Sequence, residues 1–473
     1  MIEMFDREML WYPRGFLLTT SAVNPPAGFV EGPLLDNLWV HPWTQTEWAA
    51  DSTNIVVIIG VCAITGGSDV EPPSSMLLSA LEVSDARFFQ VLNDFTGRFA
   101  IIFGSRSRLR IVTDATGMRS VFYGSESQTV ASHAALVRLV DFGDTERDTF
   151  PFQFGYPGNR TPYSAVRLLT PNTYLDVRSG AVTRFWPNAK PADRSVDEVA
   201  EEIVLRAGQG MRRIAGNRNV RVALTAGLDS RVMLALARYS GIEFETYTYG
   251  SKRDTAVDRA FAVDLANAFD VRHSTVVSNR PRAETKLQLT AANYQPHHIN
   301  VVEGLMEWFP GIDSLAVTGN LLEIGRSFFT PLMKDGVAAP TNPEKLATLH
   351  RLKMRWSMRE KIAAQGVEEW HNNAAMKFSE FAQDTGFITA TEFIDPFDLF
   401  YWEHRMGAWH GPAMNERDFY AEAFIPLNVR SIFEAMLGIE PALRVSGAVF
   451  YRILEMLDPR LLEFPINPKR WPY

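Results

Sequence analysis

The spacing of apolar and polar residues changes character near residue 190. Before that point, short apolar runs alternate with clusters of Gly, Pro and Asn, a pattern typical of β-strands joined by turns. These runs cover 54 to 64, 98 to 104, 108 to 113, 120 to 123, 128 to 132 and 172 to 177. So many short strands in one region predict two layers of sheet.

Beyond a turn-rich segment at 185 to 194, strand and helix patterns alternate. Helices are predicted at 195 to 214, 230 to 239 and 255 to 268, and strands at 220 to 224, 244 to 249, 271 to 277 and 313 to 318. This alternation predicts a parallel sheet wrapped by helices, with ligands at the carboxyl ends of its strands. The region from 340 to 473 is predicted to be mostly helical. We therefore expect two domains, 1 to 190 and 191 to 473.

Composition and charge limit the classes of molecule that the protein is expected to bind. The chain has 473 residues and a net charge of −8, which gives no electrostatic reason to expect nucleic acid. No apolar run approaches the roughly 18 residues of a membrane span, and the charged N-terminus does not resemble a secretory signal. We expect a soluble, cytoplasmic protein without a membrane partner. Because Cys62 is the only cysteine, disulfides within the chain and cysteine-built zinc sites are excluded.

One strand-turn-helix pattern carries the strongest chemical signal. An apolar strand at 220 to 224 runs into Thr225-Ala226-Gly227-Leu228-Asp229-Ser230, and a helical pattern follows. Such a turn gathers backbone N–H groups and a helix N-terminus where a polyphosphate can bind. Asp229 offers a carboxylate for Mg²⁺, and Ser230 offers a hydroxyl. Taken alone, the pattern also fits an ordinary turn and N-cap, since Asp and Ser commonly begin helices.

Three blocks together resemble the asparagine synthetase superfamily, which includes β-lactam synthetases and lasso peptide cyclases. They are the loop from Thr225 to Ser230, similar to S-G-G-x-D-S, and the runs Asp94 to Ala100 and Asp114 to Tyr123. The resemblance implies an α/β protein whose first domain is an Ntn-hydrolase-like β-sandwich, degenerate in glutamine amidotransfer. It implies that the second is an ATP-pyrophosphatase (PP-loop, adenine nucleotide α-hydrolase-like) ligase domain with a helical C-terminal part.

Two departures from the family concern the nitrogen source. Glutamine-dependent members carry a nucleophilic cysteine directly after the initiator methionine, where this chain has Ile2. The family's glutamine-holding N-G-E-I-Y-N segment is also missing from the first hundred residues. We therefore expect no glutaminase activity, and nitrogen supplied by a substrate amine or by free ammonia.

The resemblance also implies a site for ATP and Mg²⁺. The implied nucleotide-binding residues are Leu224, Thr225, Ala226, Gly227, Leu228, Asp229, Ser230, Tyr249, Gly250 and Gly319. The run from Thr318 to Glu323 resembles the family's S-G-x-G-x-D, whose final carboxylate is a second magnesium ligand. Asp229 and Glu323 are thus the expected metal ligands.

The sequence says less about which residues act on the amine that would attack the activated carboxylate. Asn320 stands where relatives carry a Glu or Tyr that helps to deprotonate the amine, and an amide cannot act as that base. Either Asn320 positions an amine that arrives neutral, or the base is one of His298, Glu303, Glu403 and Glu422. Lys469 lies in a closing stretch similar to the one that brings a catalytic lysine into the family's site, although a terminal lysine is equally often solvated.

The resulting hypothesis is an ATP-dependent, AMP- and pyrophosphate-forming amide ligase, acting in specialised metabolite or peptide (macrolactam) biosynthesis. Its substrate is a small-molecule or peptide carboxylate, and a peptide-binding or biosynthetic partner protein is left open. The alternatives are ammonia-dependent amidation of a sugar acid or amino acid, and a degenerate homologue that binds nucleotide without turnover. A tRNA-modifying thiolase of the same loop class is disfavoured by the acidic charge and the single cysteine.

Overall fold

The structure is a computed structural model that describes residues 10–21, 23–67, 71–141, 147–148, 150–250, 255–278 and 280–468. Two sheets form in the first part of the chain. Their strands are β1 (Phe16–Leu18), β2 (Val30–Glu31), β3 (Leu38–Val40), β4 (Thr46–Ala50), β5 (Asn54–Ile64), β6 (Phe95–Ser105), β7 (Arg108–Thr113), β8 (Phe122–Gly124), β9 (Val130–Ala131), β10 (Val166–Leu168), β11 (Thr173–Asp176) and β12 (Val182–Arg184).

Both of these sheets are antiparallel and six-stranded. The first has the order β10-β8-β9-β1-β3-β2, and the second has the order β12-β11-β7-β6-β5-β4. Their inner faces share one core, in which Phe16 and Leu38 of the first sheet pack with Val57 and Ile102 of the second. Helices α1 (Pro73–Val83) and α2 (Asp85–Leu92) contribute buried side chains to a core on the other face of the second sheet. The predicted two layers of sheet are confirmed.

The third sheet is parallel and five-stranded, with the order β15-β14-β13-β16-β17. Its strands are β13 (Asn219–Ala223), β14 (Glu245–Gly250), β15 (His273–Val277), β16 (Ser314–Val317) and β17 (Glu422–Phe424). Between them lie α5 (Leu228–Ser240), α6 (Ala256–Ala268), α7 (Ala283–Ala292) and α8 (Val302–Trp308), while α3 (Ala134–Asp141) and α4 (Val196–Ala215) precede them. The mixed α/β class and the parallel sheet are confirmed, but the fifth strand, β17, lies in a region predicted to be mostly helical.

The rest of the described C-terminal region is helical, as predicted. Its α-helices are α9 (Pro343–Leu352), α10 (Trp356–Gln365), α11 (Val367–Thr385), α12 (Phe387–Ala390), α13 (Pro396–Phe400), α14 (Gly411–Met414), α15 (Arg430–Leu437), α16 (Pro441–Ser446) and α17 (Ala448–Leu457). A π-helix covers Tyr401–His410, and 3₁₀ segments cover Leu322–Arg326, Thr330–Asp335, Arg417–Phe419 and Pro459–Leu462. Among the helices of the described ranges, none is both long enough and apolar enough to span a membrane.

A buried group of charges joins the antiparallel and parallel sheets. We call it the arginine cluster: Arg98, Arg119, Asp418 and Glu422. Arg98 Nη2 donates to Asp418 Oδ2 at 2.8 Å, and Arg119 Nη2 donates to Glu422 Oε1 at 2.9 Å. All four side chains are at most 3% exposed, so the two parts of the chain meet through buried ion pairs. The boundary near residue 190 stays a prediction.

Candidate functional site

The phosphate-binding motif folds as a strand, a turn and a helix. Strand β13 ends at Ala223, and α5 begins at Leu228 after the turn 224–227. Gly227 is the N-cap of α5, and no side chain caps that end of the helix. Because first-turn N–H groups have no partner within a helix, the start of α5 can donate to an anion.

The turn itself is held by internal hydrogen bonds. Thr225 N donates to Ser230 Oγ at 3.1 Å, and Gly227 N donates to Thr225 Oγ1 at 3.1 Å. Ala226 N donates to Asp258 Oδ1 of α6 at 3.2 Å. These three N–H groups already have acceptors, so the expectation of free amides within the turn is corrected: the N–H groups without a partner inside the helix are those of the first turn of α5.

A cavity of about 310 Å³ lies where β13, β14 and β16 end. Its walls are Ala223, Leu224, Thr225, Asp229, Ser230, Tyr247, Thr248, Tyr249, Thr255, Asp258, Thr318, Gly319, Asn320 and Arg417. The structure therefore brings seven of the predicted site residues to one cavity: Leu224, Thr225, Asp229, Ser230, Tyr249, Gly319 and Asn320. Of the other predicted nucleotide residues, Ala226, Gly227, Leu228 and Gly250 are not in the cavity wall.

Gly319 is required by a close approach of two backbones. A Cβ atom built on Gly319 would lie 2.7 Å from the carbonyl oxygen of Asp229. A side chain here would push the end of β16 away from the first turn of α5. The glycine in the motif Thr318-Gly319-Asn320 thus keeps the loop after β16 against the helix that carries Asp229.

An arginine lies between the two predicted metal ligands. Arg326 Nη2 donates to Asp229 Oδ2 at 2.7 Å and lies 3.6 Å from Glu323 Oε1. Both carboxylates are about one quarter exposed, and Asp229 Oδ1 has no hydrogen-bond partner. Glu323 is not in the cavity wall, although Arg326 connects it to Asp229.

The surroundings of Asp229 disfavour its charged form. Burial, assisted by the charge of Glu323, raises the pKa of Asp229 to about 7, while Arg326 opposes the rise. Mg²⁺ is commonly bound through one or two carboxylates together with substrate phosphates. The unpartnered Oδ1 and the nearby Glu323 fit such an ion, and within the described ranges no cluster of three or more His, Cys, Asp or Glu side chains offers an all-protein metal site.

The three glutamates considered as bases are already engaged. Glu422 belongs to the arginine cluster. Glu403 accepts Arg184 Nη2 at 2.8 Å, together with the side-chain amide of Asn172. Glu303 accepts the hydroxyl of Thr285 at 2.6 Å. Their carboxylates lie outside the cavity wall, so the structure does not bring Glu303, Glu403 or Glu422 to the reacting position.

His298 is the remaining base candidate, and it too lies outside the cavity wall, although it neighbours a wall residue. Its ring centroid lies 6.3 Å from that of Tyr249, a wall residue of the cavity. Its Nδ1 is 3.4 Å from Glu416 Oε2, and the backbone N–H of His298 donates to the same oxygen at 2.6 Å. The pKa of Glu416 is lowered, since bonds from His298 and His297 outweigh the effect of burial. Glu416 therefore holds His298 beside the cavity.

The end of the described chain is tied to the phosphate loop. Arg231 of α5 donates to the carbonyl oxygens of Leu461 and Phe464, and Asn467 N donates to Ala226 O at 3.1 Å. The predicted catalytic Lys469 and the predicted non-nucleophilic Ile2 lie outside the described residues.

Arg417 is a wall residue that sequence reasoning missed. It is 4% exposed, and its Nε and Nη1 atoms have no hydrogen-bond partner. Thr318 Oγ1 is likewise unpartnered. The only signal in the sequence was the position of Arg417, five residues before the short strand β17, and that strand was itself not predicted.

Comparison with known proteins adds little. No family model and no curated protein matches the chain. Solved structures with partial likeness include NMN synthetase from Francisella tularensis (20% identity, 29% of this chain and 60% of that one, TM-score 0.21). Others are glutamine-dependent NAD⁺ synthetase from Acinetobacter baumannii in complex with ADP (16%, 37% and 32%, 0.19) and glutamine PRPP amidotransferase from B. subtilis in complex with ADP and GMP (13%, 62% and 62%, 0.21).

The chain spans 60% and 32% of the lengths of the first two of these proteins. Two of the three structures contain bound ADP. TM-scores near 0.2 are too low to carry an argument about fold or function. The proposed function therefore rests on the residues that line the cavity.

Proposed function

We propose that this protein is an ATP-dependent ligase of the asparagine synthetase type, which activates a carboxylate as an adenylate, releases pyrophosphate and forms an amide. The observation that carries the proposal is the cavity wall itself. It combines the uncapped start of α5, a carboxylate oxygen of Asp229 without a partner, and the loop Thr318 to Asn320 within about 310 Å³. Each of these features suits a magnesium-bound polyphosphate.

In this proposal the roles follow from position. The first-turn N–H groups of α5 bind the pyrophosphate portion, where negative charge develops during cleavage. Asp229 and Glu323 hold Mg²⁺, which supplies charge neutralisation when it is bound, and Arg326 must release Asp229 to make room. Tyr249 lies along the nucleotide edge of the cavity.

His298 is the proposed general base of the acyl transfer step. It stands beside Tyr249, and Glu416 orients it, an arrangement that suits transfer of a proton from an amine. Asn320 then positions the amine through its amide group. Exchanging His298 for Gln should lower the rate of amide formation while leaving pyrophosphate release in place. His371→Gln, at a partly exposed histidine on α11, is the control, and equal amide formation in both variants would remove His298 from this role.

The acceptor is proposed to be an amine carried by the substrate, with no glutaminase step. This includes ring closure of a peptide to a macrolactam. Free ammonia as the nitrogen source is the alternative, and the two are separated by supplying ammonium to an otherwise complete reaction. Incorporation of ammonium-derived nitrogen into the product would favour amidation of a sugar acid or amino acid.

Pyrophosphate release from Mg·ATP across a panel of carboxylic acids tests the central claim. Asp229→Ala should reduce release by at least about a thousandfold, as expected when a group essential to transition-state stabilisation is lost. Asp313→Ala is the matched control, because Asp313 is exposed and precedes β16, at the opposite end of that strand from the cavity.

Two results would count against the proposal. Unchanged pyrophosphate release in Asp229→Ala would show that the loop is not the ATP site. Tight binding of Mg·ATP without release for any acid would instead favour a nucleotide-binding homologue without turnover.

A further inference from the structure

Arg417 occupies an unusual position for a buried cation. It sits in the 3₁₀ segment Arg417–Phe419 just before β17, and its side chain reaches the cavity shared by Asp229 and Asn320. The side chain is 4% exposed, yet its Nε and Nη1 atoms find no acceptor. Among the residues that the structure describes, no carboxylate forms an ion pair with it.

The surroundings keep this guanidinium charged. Burial alone would lower the pKa of Arg417, but the neighbouring Tyr420, Tyr249, Tyr247 and Glu416 raise it above its usual value. A charged group out of water is strongly unfavourable unless it is paired and hydrogen-bonded. The two arginines of the neighbouring arginine cluster have such partners, since Arg98 binds Asp418 and Arg119 binds Glu422.

We infer that Arg417 is the anchor for an oxyanion of the ligand that enters the cavity. Nε and Nη1 lie on different edges of the guanidinium, each of which Nη2 completes, and either edge matches the two oxygens of a carboxylate or phosphate. The inference rests on the proposed function in assigning that oxyanion to a reactant of the ligase: the phosphate of the nucleotide or the carboxylate of the acid to be activated.

Neighbouring groups define the rest of this subsite. Thr318 Oγ1 is a second unpartnered polar atom in the same wall, and its hydroxyl can donate to an anion beside Arg417. Asn320, two residues further along, offers an amide N–H on the same loop. The cavity thus has a cationic side at Arg417 and a metal-binding side at Asp229, and a reactant carrying both an oxyanion and Mg²⁺-bound phosphates would satisfy both.

The test compares the purified full-length chain with Arg417→Met, Arg417→Lys and the control Arg444→Lys. Arg444 is equally buried, at 5% exposed, but it is paired with Asp398 outside the cavity. Calorimetry with adenosine, AMP, succinate and inorganic phosphate as separate probes, in the presence of Mg²⁺, measures each affinity. Circular dichroism and the unfolding midpoint establish that each variant is folded.

Loss of at least about tenfold in AMP affinity for Arg417→Met, with adenosine binding unchanged, would place the phosphate of the nucleotide on Arg417. Unchanged AMP binding with lost succinate binding would place the substrate carboxylate there. Arg417→Lys should show a smaller loss, because an ammonium keeps the charge without the fork.

Equal binding of AMP, succinate and phosphate by the parent protein and Arg417→Met would overturn the inference. A parent protein that binds the anions through Arg417 but does not bind Mg·ATP would instead contradict the proposed function alone. Weaker binding in Arg444→Lys to the same degree as in Arg417→Met would show that the effect comes from disturbing any buried arginine, and would also overturn the inference.

Discussion

Two sets of charged side chains in this protein differ in how they are paired, the arginine cluster on one side and the charged residues of the cavity on the other. In the arginine cluster, each guanidinium meets a carboxylate at hydrogen-bond distance, as in the 2.8 Å contact of Arg98 with Asp418. In the cavity, Arg417 keeps two nitrogen atoms unpartnered, and Asp229 keeps one oxygen unpartnered. Arg417 of the cavity and Asp418 of the arginine cluster are adjacent in the chain and are both buried, so general burial does not explain the difference.

The difference indicates what each set is for. A buried cluster in which each arginine is paired with a carboxylate neutralises its own charges and so fixes how the antiparallel and parallel sheets meet. An incompletely paired one retains a desolvation cost that a ligand can remove by supplying the missing partner. The variants below test this contrast by changing one charge at a time.

The largest effect on stability is expected when the paired cluster is broken. Asp418→Asn leaves the buried Arg98 with Glu422, at 3.4 Å, as its remaining carboxylate, and removal of one partner from a buried pair typically costs about 3–5 kcal/mol. Urea unfolding of the full chain measures the change. Arg417→Met removes an unpaired cation and should leave the free energy of unfolding unchanged or raise it. A similar loss of stability in both variants would erase the distinction between the two sets.

A third way to bury a titratable group is to keep it neutral, as His350 does. Burial lowers the pKa of His350 to about 4, and its Nε2 lies 2.8 Å from the carbonyl oxygen of Gln153. The unfolded chain takes up this proton near its ordinary value of 6.5 and the folded chain only near 4. Stability contributed by the neutral form is therefore lost as the pH falls between those values, by about 3 kcal/mol.

His350→Gln keeps a side-chain donor and removes the titration. Its stability should decrease less than that of the parent between pH 6.5 and about 4, measured by urea unfolding across that range. The partly exposed His371→Gln serves as the control and should follow the parent curve. If His350→Gln also followed it, the histidine would not be the source of this pH dependence.

Within the cavity, Arg326 acts as an internal cation for Asp229. The pair is 2.7 Å apart, with side chains 23% and 25% exposed, and an ion pair of this partly hydrated kind contributes on the order of 1 kcal/mol. Arg326→Gln should therefore tighten Mn²⁺ binding about fivefold, as measured by paramagnetic resonance titration. Asp229→Ala should abolish that binding. Weaker Mn²⁺ binding in Arg326→Gln would mean that the arginine supports the metal instead of competing with it.

The sequence predicted strands and helices correctly where apolar residues recur at a regular spacing. The strand predicted at 54 to 64 has those same bounds, and the one predicted at 220 to 224 is shifted by a single residue. Strand β17 was missed because three residues, Glu422 to Phe424, carry no period of their own. It forms through parallel pairing with β16, which is a tertiary effect.

The sequence predicted only those residues of the candidate site that lie within one local motif. The predicted strand, turn and helix around Thr225 to Ser230 are present, but the hydrogen bonds within the turn, from Thr225 N to Ser230 Oγ and from Gly227 N to Thr225 Oγ1, could not be seen in the sequence. Glu422 was one of the candidate bases because its carboxylate can accept a proton. Its actual partner, Arg119, lies 303 residues earlier, and only the folded chain brings the two together.

The smallest effect is expected from a charge pair that water already reaches. Asp94 and Arg206 are 2.7 Å apart, but their side chains are 38% and 24% exposed. Asp94→Asn repeats the substitution proposed for Asp418 on a hydrated pair and should cost less than about 1 kcal/mol in the same urea experiment. Because the chemistry of the two substitutions is identical, their difference reports on burial together with the number of paired arginines, which is two for Asp418 and one for Asp94. A cost for Asp94→Asn as large as that for Asp418→Asn would mean that the carboxylate, and not its removal from water, determines the stability of the interface.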